Sequence, residues 1–319
     1  MLPTINKRFL LKLVVVTAVV AGALFGAHAI QAGRIPDALR RQAELAADLS
    51  ADDPKKVDSA VFYLRQYLEF KPDDVEALER LTGVLRKRSR PADQTELIRL
   101  YDRVLRTDPN RHDTRREALK ATLLTRRFTD AETHAQALLK EFPKEQSLWL
   151  DLAFAQRGLQ KPQEVLTSYE TAITCDPKQP GAYQEFAEYL LNDLKQKDDA
   201  KAVLDRLVAA VPAAESYAAR GRYFAAIGNE PAAIADSRKA LELSPDNADA
   251  LLQLGEQLQK RREEVAAAAD LYRTGIKAHP TDPRFVRSLA WLEVNRGNLG
   301  AAVAVLEDGS ALVGEQDAL

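Results

Sequence analysis

Seven prolines divide most of the chain into segments of nearly equal length. Their successive spacings are 37, 34, 34, 35, 33 and 35 residues, for Pro72, Pro109, Pro143, Pro177, Pro212, Pro245 and Pro280. Proline cannot continue an α-helix, so each one ends a segment of periodic apolar residues. A period near 34 residues is typical of a helix–turn–helix unit that is repeated along the chain. The sequence therefore predicts an all-α protein.

The segment between Pro143 and Pro177 shows the pattern within one unit. Apolar and small residues recur at helical spacing in two runs, which comprise Trp149, Leu152 and Ala153, and then Val165, Tyr169, Ala172 and Ile173. Gly158 and Pro162 separate the runs, so we expect the turn there. Each unit is predicted to be a pair of helices, neither of which buries its apolar stripe alone.

These residues resemble the tetratricopeptide repeat, whose pattern places large, small and aromatic residues in this order before a final proline. Two further good copies comprise Tyr217, Gly221, Phe224, Ala233, Ala240 and Pro245, and then Leu251, Leu254, Gly255, Leu258, Ala268, Tyr272 and Pro280. The resemblance covers residues ~37–310 and indicates about eight units. It implies a right-handed α-solenoid with a concave groove. The layout also resembles bacterial membrane-anchored members of this superfamily, which serve as scaffolds.

Small residues recur at two register positions, where they let neighbouring helix backbones approach. In the first helices the position holds Ala153, Ala187, Gly221, Gly255 and Ala290, and in the second helices it holds Ala60, Ala131, Ala200, Ala233 and Ala302. Thr82, Leu119 and Val165 depart from this rule, so we expect looser or adjusted packing there.

The repeat family lines its groove with the residue after the small position of each first helix and with the residue one turn earlier. This register predicts a partner-binding groove that includes Lys120, Phe154, Glu188, Arg222, Glu256 and Trp291, with Arg116 and Arg287 one turn earlier. Phe154 and Trp291 are the candidate aromatic anchors for a peptide. The alternative is that each packs under a neighbouring helix. Trp149 fills a core position instead, and the asparagine pattern of the chaperone-binding carboxylate clamp is absent.

No residue set indicates catalysis, a metal or a cofactor, so we expect a non-enzymatic protein. The single cysteine, Cys175, lies two residues before a repeat proline, where we expect a half-buried apolar seam. A reactive thiol would require a nearby histidine or cation. The four histidines lack metal-ligand spacing and are expected on the surface or in loops. The acid pairs 52–53, 73–74 and 198–199 are typical of helix caps and turns.

Charge is balanced overall but uneven along the chain. The net charge of −2 argues against a nucleic-acid binder. Residues 80–127 contain 14 basic and 6 acidic residues, a net charge of +8. The densest stretch holds Arg86, Lys87, Arg88 and Arg90, for which we predict an anionic contact with lipid head groups or an acidic protein segment. A solvated basic loop is the alternative.

The N-terminus has the pattern of a membrane signal. Lys7, Arg8 and Lys12 precede residues 13–30, 18 residues without a charge, which as a helix reach about 27 Å and approach the thickness of a bilayer core. The length favours an uncleaved single-pass anchor with a cytoplasmic N-terminus and extracytoplasmic repeats. A small-residue site at 27–29 leaves export after signal cleavage as the alternative. The predicted domains are the anchor, residues 1–35, and the solenoid, residues 36–319.

The last repeat lacks an obvious polar cap, because Ala301, Val305 and Leu312 are apolar. We therefore expect self-association through this repeat, or continuation of the natural chain. Together these features predict a membrane-tethered scaffold that binds a peptide or protein in its groove. The alternatives are a recruiting subunit of an enzyme or secretion complex and a fragment of a longer repeat protein.

Overall fold

The computed structural model describes residues 16–17, 20–21, 34–46, 53–88 and 90–313. Within these ranges the chain is helical and contains no strand. The predicted membrane segment, residues 13–30, lies outside them except for residues 16–17 and 20–21. Among the described residues, no helix combines the length and the apolar character needed to span a membrane.

The described helices fall into pairs that follow the proline period. In chain order they are α1 (residues 34–46), α2 (Pro54–Phe70), α3 (Val75–Arg88), α4 (Gln94–Thr107), α5 (His112–Leu124), α6 (Phe128–Glu141), α7 (Gln146–Gly158), α8 (Pro162–Cys175), α9 (Pro180–Asn192), α10 (Lys197–Ala210), α11 (Ala214–Ala226), α12 (Glu230–Leu243), α13 (Ala248–Leu258), α14 (Val265–Ala278), α15 (Pro283–Asn295) and α16 (Leu299–Val313). A 3₁₀ turn at Pro91–Asp93 precedes α4. Each of the seven prolines follows the second helix of a pair, so the prediction of about eight helix pairs is confirmed.

The chain divides into two compact units. Unit 1 comprises residues 1–143 and 154–161, and unit 2 comprises residues 144–153 and 162–319. Unit 1 has a core built on α2 to α5, around Leu78, Leu81 and Val104. Unit 2 has apolar clusters around Tyr169 and Phe186 and around its later helices. Within unit 2 the first helices α11, α13 and α15 also contact one another in sequence, so their exposed faces are adjacent. The predicted boundary at residue 35 and the handedness of the repeats stay predictions.

The small register positions are buried, as predicted. Both sets, five residues in first helices and five in second helices, lie in the packed interior. At Gly255 the reason is direct, because a Cβ there would lie 2.4 Å from the ring of Tyr272. The three exceptions, Thr82, Leu119 and Val165, are buried as well, so the neighbouring helices accommodate their larger side chains without exposing them.

Aspartate and asparagine side chains begin several of the helices. Asp53 accepts a hydrogen bond from the Lys55 amide at 3.0 Å, and Asp74 accepts one from the Ala77 amide at 3.0 Å. These bonds satisfy amides that have no partner within the helix. The prediction that the acid pairs act as caps is thus confirmed for these two residues, whereas Asp52 lies outside the described residues.

The turn between the helices of a pair repeatedly contains a residue in the left-handed region. Its φ is 58° at Gln160 and 78° at Gly228 and Gly297, and Arg126 and Lys195 occupy corresponding positions. The turn predicted between Gly158 and Pro162 is confirmed, because α7 ends at Gly158 and α8 begins at Pro162. Gly158 is the last residue of α7, where an added Cβ would lie 2.3 Å from the ring of Phe128. Close packing rather than backbone freedom requires glycine at that position.

Cys175 is half-buried at the last position of α8. The expectation that this position forms an apolar seam was wrong for the other units. The corresponding residues are all exposed, namely Phe70, Thr107, Glu141, Ala210, Leu243 and Ala278. The packed face of the second helix ends one turn earlier, so its last residue faces solvent in most units.

Candidate functional site

A cavity of about 700 Å³ opens on the first helices of unit 2, and we call it the unit 2 cavity. Four of the residues predicted for the groove line it: Arg222 on α11, Glu256 on α13, and Arg287 and Trp291 on α15. Leu252, one turn before Glu256, lies beside them. The structure thus brings together side chains that are up to 69 residues apart in the sequence. Their role in binding stays a prediction.

Helical spacing explains why these side chains share one surface. Residues four apart lie on the same face of a helix, one turn above the other. Leu252 and Glu256 are such a pair on α13, and Arg287 and Trp291 are the corresponding pair on α15. The small residues next to Glu256 and Trp291, Gly255 and Ala290, turn into the packed side of the helices.

Asp249 neutralises two of the three arginines that line the unit 2 cavity. Its carboxylate oxygens accept hydrogen bonds from Arg222 Nη2 at 2.8 Å and from Arg284 Nη1 at 3.1 Å. Arg284 also binds Asp282, with Nη2 2.7 Å from Oδ2. The hydrogen bond from Arg284 lowers the pKa of Asp282, and the same bond raises the pKa of Arg284. Two arginines and two aspartates therefore compensate one another across α11, α13 and α15.

Three other polar groups of this cavity differ from these arginines and aspartates. Among the described residues, Glu256 and Arg287 form no hydrogen bond or salt bridge, and neither does the Oε1 atom of Gln253. Gln253 is only 8% exposed, so its free acceptor is buried. Desolvation by the surrounding walls raises the pKa of Glu256, an effect that Lys260 partly opposes. Trp291 is 60% exposed.

A second cavity, of about 730 Å³, opens on α3 and α5 of unit 1, and we call it the unit 1 cavity. It contains the predicted residues Arg86, Arg116 and Lys120. Here the charges are paired within the chain, because Glu117 lies 2.8 Å from Arg86 Nη1 and 3.3 Å from Lys120 Nζ. The guanidinium carbon of Arg116 lies 4.8 Å from the centre of the Phe142 ring, a cation–π contact.

The remaining predicted groove residues lie elsewhere. Glu188 shares a small cavity of about 120 Å³ with Arg222 in unit 2. Phe154 belongs to unit 1 and is 47% exposed, and its ring meets the ring of Phe128 edge to face at 5.9 Å. It lines neither of the two larger cavities.

The predicted anionic-contact patch is corrected at Arg88. The Arg88 side chain is only 12% exposed and forms salt bridges with Asp93 and Asp58. Arg90 also binds Asp58, at 3.0 Å. The hydrogen bond from Arg88 lowers the pKa of Asp93. These arginines join the end of α3 to α2 and to the start of α4, whereas Lys87 is exposed.

The expectation of surface or loop histidines was wrong for His134. This residue lies in α6 and is buried, with Nε2 3.9 Å from Asp102 Oδ1. Burial lowers the pKa of His134, and the charge of Arg115 acts in the same direction. His279 contacts Phe285, and His28 lies outside the described residues. No cluster of potential metal ligands occurs in the part of the chain that the structure describes.

The sequence analysis missed five lining residues of the unit 2 cavity: Asp249, Gln253, Gln259, Arg284 and Ser288. Asp249 and Arg284 lie seven residues before Glu256 and Trp291, which is two helical turns along the same stripe. Extending the stripe by one more turn would have found both. Gln253 lies three residues before Glu256, and nothing in its residue type distinguishes it from a surface residue.

Comparisons with known proteins agree with this architecture. A family model described as tetratricopeptide repeat matches residues 189–248 and 252–309, both within unit 2. The crystal structure of yeast Tom70 is similar with a TM-score of 0.55 and 15% identity, over 83% of this chain and 58% of that one. A tetratricopeptide repeat protein from Parabacteroides merdae covers 81% of this chain and 99% of its own, with 16% identity and a TM-score of 0.46.

Sequence similarity to a characterised protein is local. Over 89 residues the chain is 34% identical to bacteriophage adsorption protein A of Escherichia coli K12, which is 28% of this chain and 9% of that protein. The chain thus matches less than a tenth of this relative's length. The eight helix pairs, their small register positions and the family match define a helical-repeat protein. The chain contains tetratricopeptide repeats at residues 189–248 and 252–309.

Proposed function

We propose that the chain is a non-enzymatic protein-interaction scaffold and that the unit 2 cavity binds a peptide segment of a protein partner. The main support is that Arg222, Glu256, Arg287 and Trp291, chosen from the repeat register alone, line one cavity. Its volume of about 700 Å³ falls within the usual range of about 300–1,000 Å³ for binding pockets. An exposed tryptophan surrounded by polar side chains is the composition of an interaction hot spot.

A screen of short acetylated and amidated peptides against the full chain tests this proposal. Trp291→Ala should lower the affinity for the bound peptides by about tenfold or more, because the ring supplies most of the apolar contact. Phe62→Ala is the matched control, since Phe62 is an exposed aromatic of α2 outside the unit 2 cavity. Equal binding by wild-type protein and Trp291→Ala, or an equal loss in Phe62→Ala, would contradict the proposal.

The proposal includes a tether to the membrane by residues 13–30, with the N-terminus in the cytoplasm and the repeats on the extracytoplasmic side. It is supported by the 18 uncharged residues that follow Lys7, Arg8 and Lys12. The full chain should remain with membranes after an alkaline wash, and protease added outside the cytoplasmic membrane should digest the repeats. A soluble, N-terminally shortened product would support the alternative of export after cleavage.

Protein rather than lipid is the partner that the charges favour. The basic stretch of unit 1 binds acidic residues of its own chain through Arg86, Arg88 and Arg90. A lipid head group would have to displace these carboxylates. The alternative to a simple scaffold is a recruiting subunit of an enzyme or secretion complex, which would use the same peptide-binding surface.

Self-association through the last repeat is a second candidate, favoured by the surface of α16. Leu299, Val303 and Leu306 are exposed on this helix. A second copy of the chain would bury this stripe. Light scattering of the detergent-solubilised full chain should show a dimer that the combined change Val303→Lys and Leu306→Lys converts to a monomer. A wild-type monomer at high concentration would contradict this.

A further inference from the structure

We propose that the unit 2 cavity selects a partner segment carrying a basic side chain, lysine or arginine, which binds Glu256 and lies against the face of Trp291. This inference rests on the proposed function, because it names the chemical class of the segment that the same cavity binds. Three features of the cavity support it: the compensation of two of its three arginines, a carboxylate without a donor, and an exposed aromatic face.

The first feature is that the chain itself satisfies two of the three cavity arginines. Asp249 binds Arg222 and Arg284, and Asp282 binds Arg284 a second time. An acidic ligand would have to compete with these two carboxylates for their arginines. Of the three cavity arginines, only Arg287 has no salt-bridge partner among the described residues.

The second feature is the Glu256 carboxylate on α13. No described residue donates a hydrogen bond to it, so it is available to a donor that comes from outside the chain. The Oε1 atom of the neighbouring Gln253 is buried beside Gly221, where an added Cβ would lie 3.1 Å from it, so a ligand in the cavity does not reach this acceptor. A lysine ammonium carries three donors and an arginine guanidinium carries five.

The third feature is Trp291, whose position in α15 corresponds to that of Glu256 in α13. Its ring is 60% exposed, and it lines the same cavity as Glu256. A cation over the face of tryptophan is attracted by the ring quadrupole, more strongly than over other aromatic residues. The aliphatic stem of a lysine or arginine would cover Leu252, which is also part of the cavity wall.

Arg287 and Glu256 provide a matched pair of variants within one cavity. The probes are acetylated and amidated peptides of one sequence whose central residue is lysine, arginine, leucine or glutamate, measured by titration with the full chain. The basic peptides should bind about tenfold more tightly than the leucine and glutamate peptides. Glu256→Gln should remove most of this preference, whereas Arg287→Gln should keep or increase it.

The outcomes separate the inference from the proposed function. Peptides that bind through Trp291 without a preference for a basic residue would overturn the inference and leave the proposed function standing. Tighter binding of the glutamate peptide, lost in Arg287→Gln, would overturn the inference in favour of an acidic segment. No binding of any peptide class would overturn both. Glu256 and Arg287 are exposed, and circular dichroism of both variants checks that they fold as the wild type does.

Discussion

The cavities of unit 1 and unit 2 are nearly equal in volume and occupy the same register of the repeat, yet their charges are arranged differently. The position after the small residue holds Lys120 in unit 1 and Glu256 and Trp291 in unit 2. Three residues earlier lie Glu117 in unit 1 and Gln253 in unit 2. In unit 1 these side chains form salt bridges with each other and with Arg86. In unit 2 the corresponding positions leave the Glu256 carboxylate and the Trp291 ring open.

This difference teaches that the repeat register fixes where a groove residue lies but not whether it is available. Exposed ion pairs contribute little to stability, with a median of about 0–1 kcal/mol, so the network of unit 1 is not required to hold its fold. Its effect is to occupy the acceptors that a partner would otherwise use. The unit 2 cavity lacks this internal competition at Glu256.

The largest effect is expected at the small register position of the first helix, where the two units differ in size. Leu119 of unit 1 is 1% exposed, and Leu119→Ala should lower the free energy of unfolding by about 2–5 kcal/mol through lost contacts and a cavity. Chemical denaturation followed by circular dichroism measures this. Leu124→Ala, at an exposed leucine of the same helix, is the control. Similar losses in both variants would show that α5 does not pack through Leu119.

In unit 2 the corresponding position holds a glycine, and enlarging its side chain should also lower the stability. Gly255→Ala adds a methyl group 2.4 Å from the Tyr272 ring, and overpacking of this kind costs about 1–3 kcal/mol. The same denaturation experiment should show a lower midpoint. Gly83→Ala in α3 is the control, because a Cβ there meets nothing within 4 Å, and helix propensity makes it neutral or slightly stabilising. An unchanged midpoint in Gly255→Ala would mean that Tyr272 moves freely.

The third prediction concerns the pH dependence of unit 1. Burial lowers the pKa of His134 below its ordinary value of 6.5, so the folded chain binds this proton less readily than the unfolded chain. The stability that the neutral His134 side chain contributes is therefore complete above pH 6.5. It is lost as the pH falls from there through the lowered pKa. Asp102, Asp130, Arg115 and Arg127 are the charged groups that act on it.

His134→Gln should therefore lose less stability than the wild type between pH 7.5 and pH 5.5, because glutamine does not titrate. Comparing the two proteins cancels the effect on stability of the carboxylates, because these titrate in both. The unit 2 histidine, His279, is the control through His279→Gln. Equal pH profiles for the wild type and His134→Gln would contradict a lowered pKa at His134.

The smallest effect should come from opening the unit 1 cavity. Arg86→Gln together with Lys120→Gln removes both partners of Glu117 and should create a weak site for a basic peptide, with an expected gain of a few-fold. The measurement uses the lysine peptide in a Glu256→Gln background, so that only unit 1 contributes. Glu117→Gln added to the same variant should abolish the gain. No gain would show that paired charges are not what closes this cavity.

Much of the fold and part of the candidate site were predictable from local patterns. The proline period and the alternation of small and large residues predicted eight helix pairs, and the register predicted four lining residues of the unit 2 cavity. Predictions failed where a residue's surroundings come from another helix. Arg88 was predicted to contact an anionic partner, but it binds Asp58 of its own chain, which lies 30 residues away on α2. His134 was expected at the surface, but it is buried in α6, because neighbouring helices cover it.

The sequence by itself determined the repeat, the helix faces and the stripe of residues from which a groove is built, because these follow from the spacing of residues within single helices. Only the tertiary structure decided which charges in that stripe remain available. Asp249 reaches Arg222 across 27 residues and Arg284 across 35, and Arg86 reaches Glu117 across 31. Such pairs depend on how neighbouring helices place their side chains, and spacing along one helix does not reveal them.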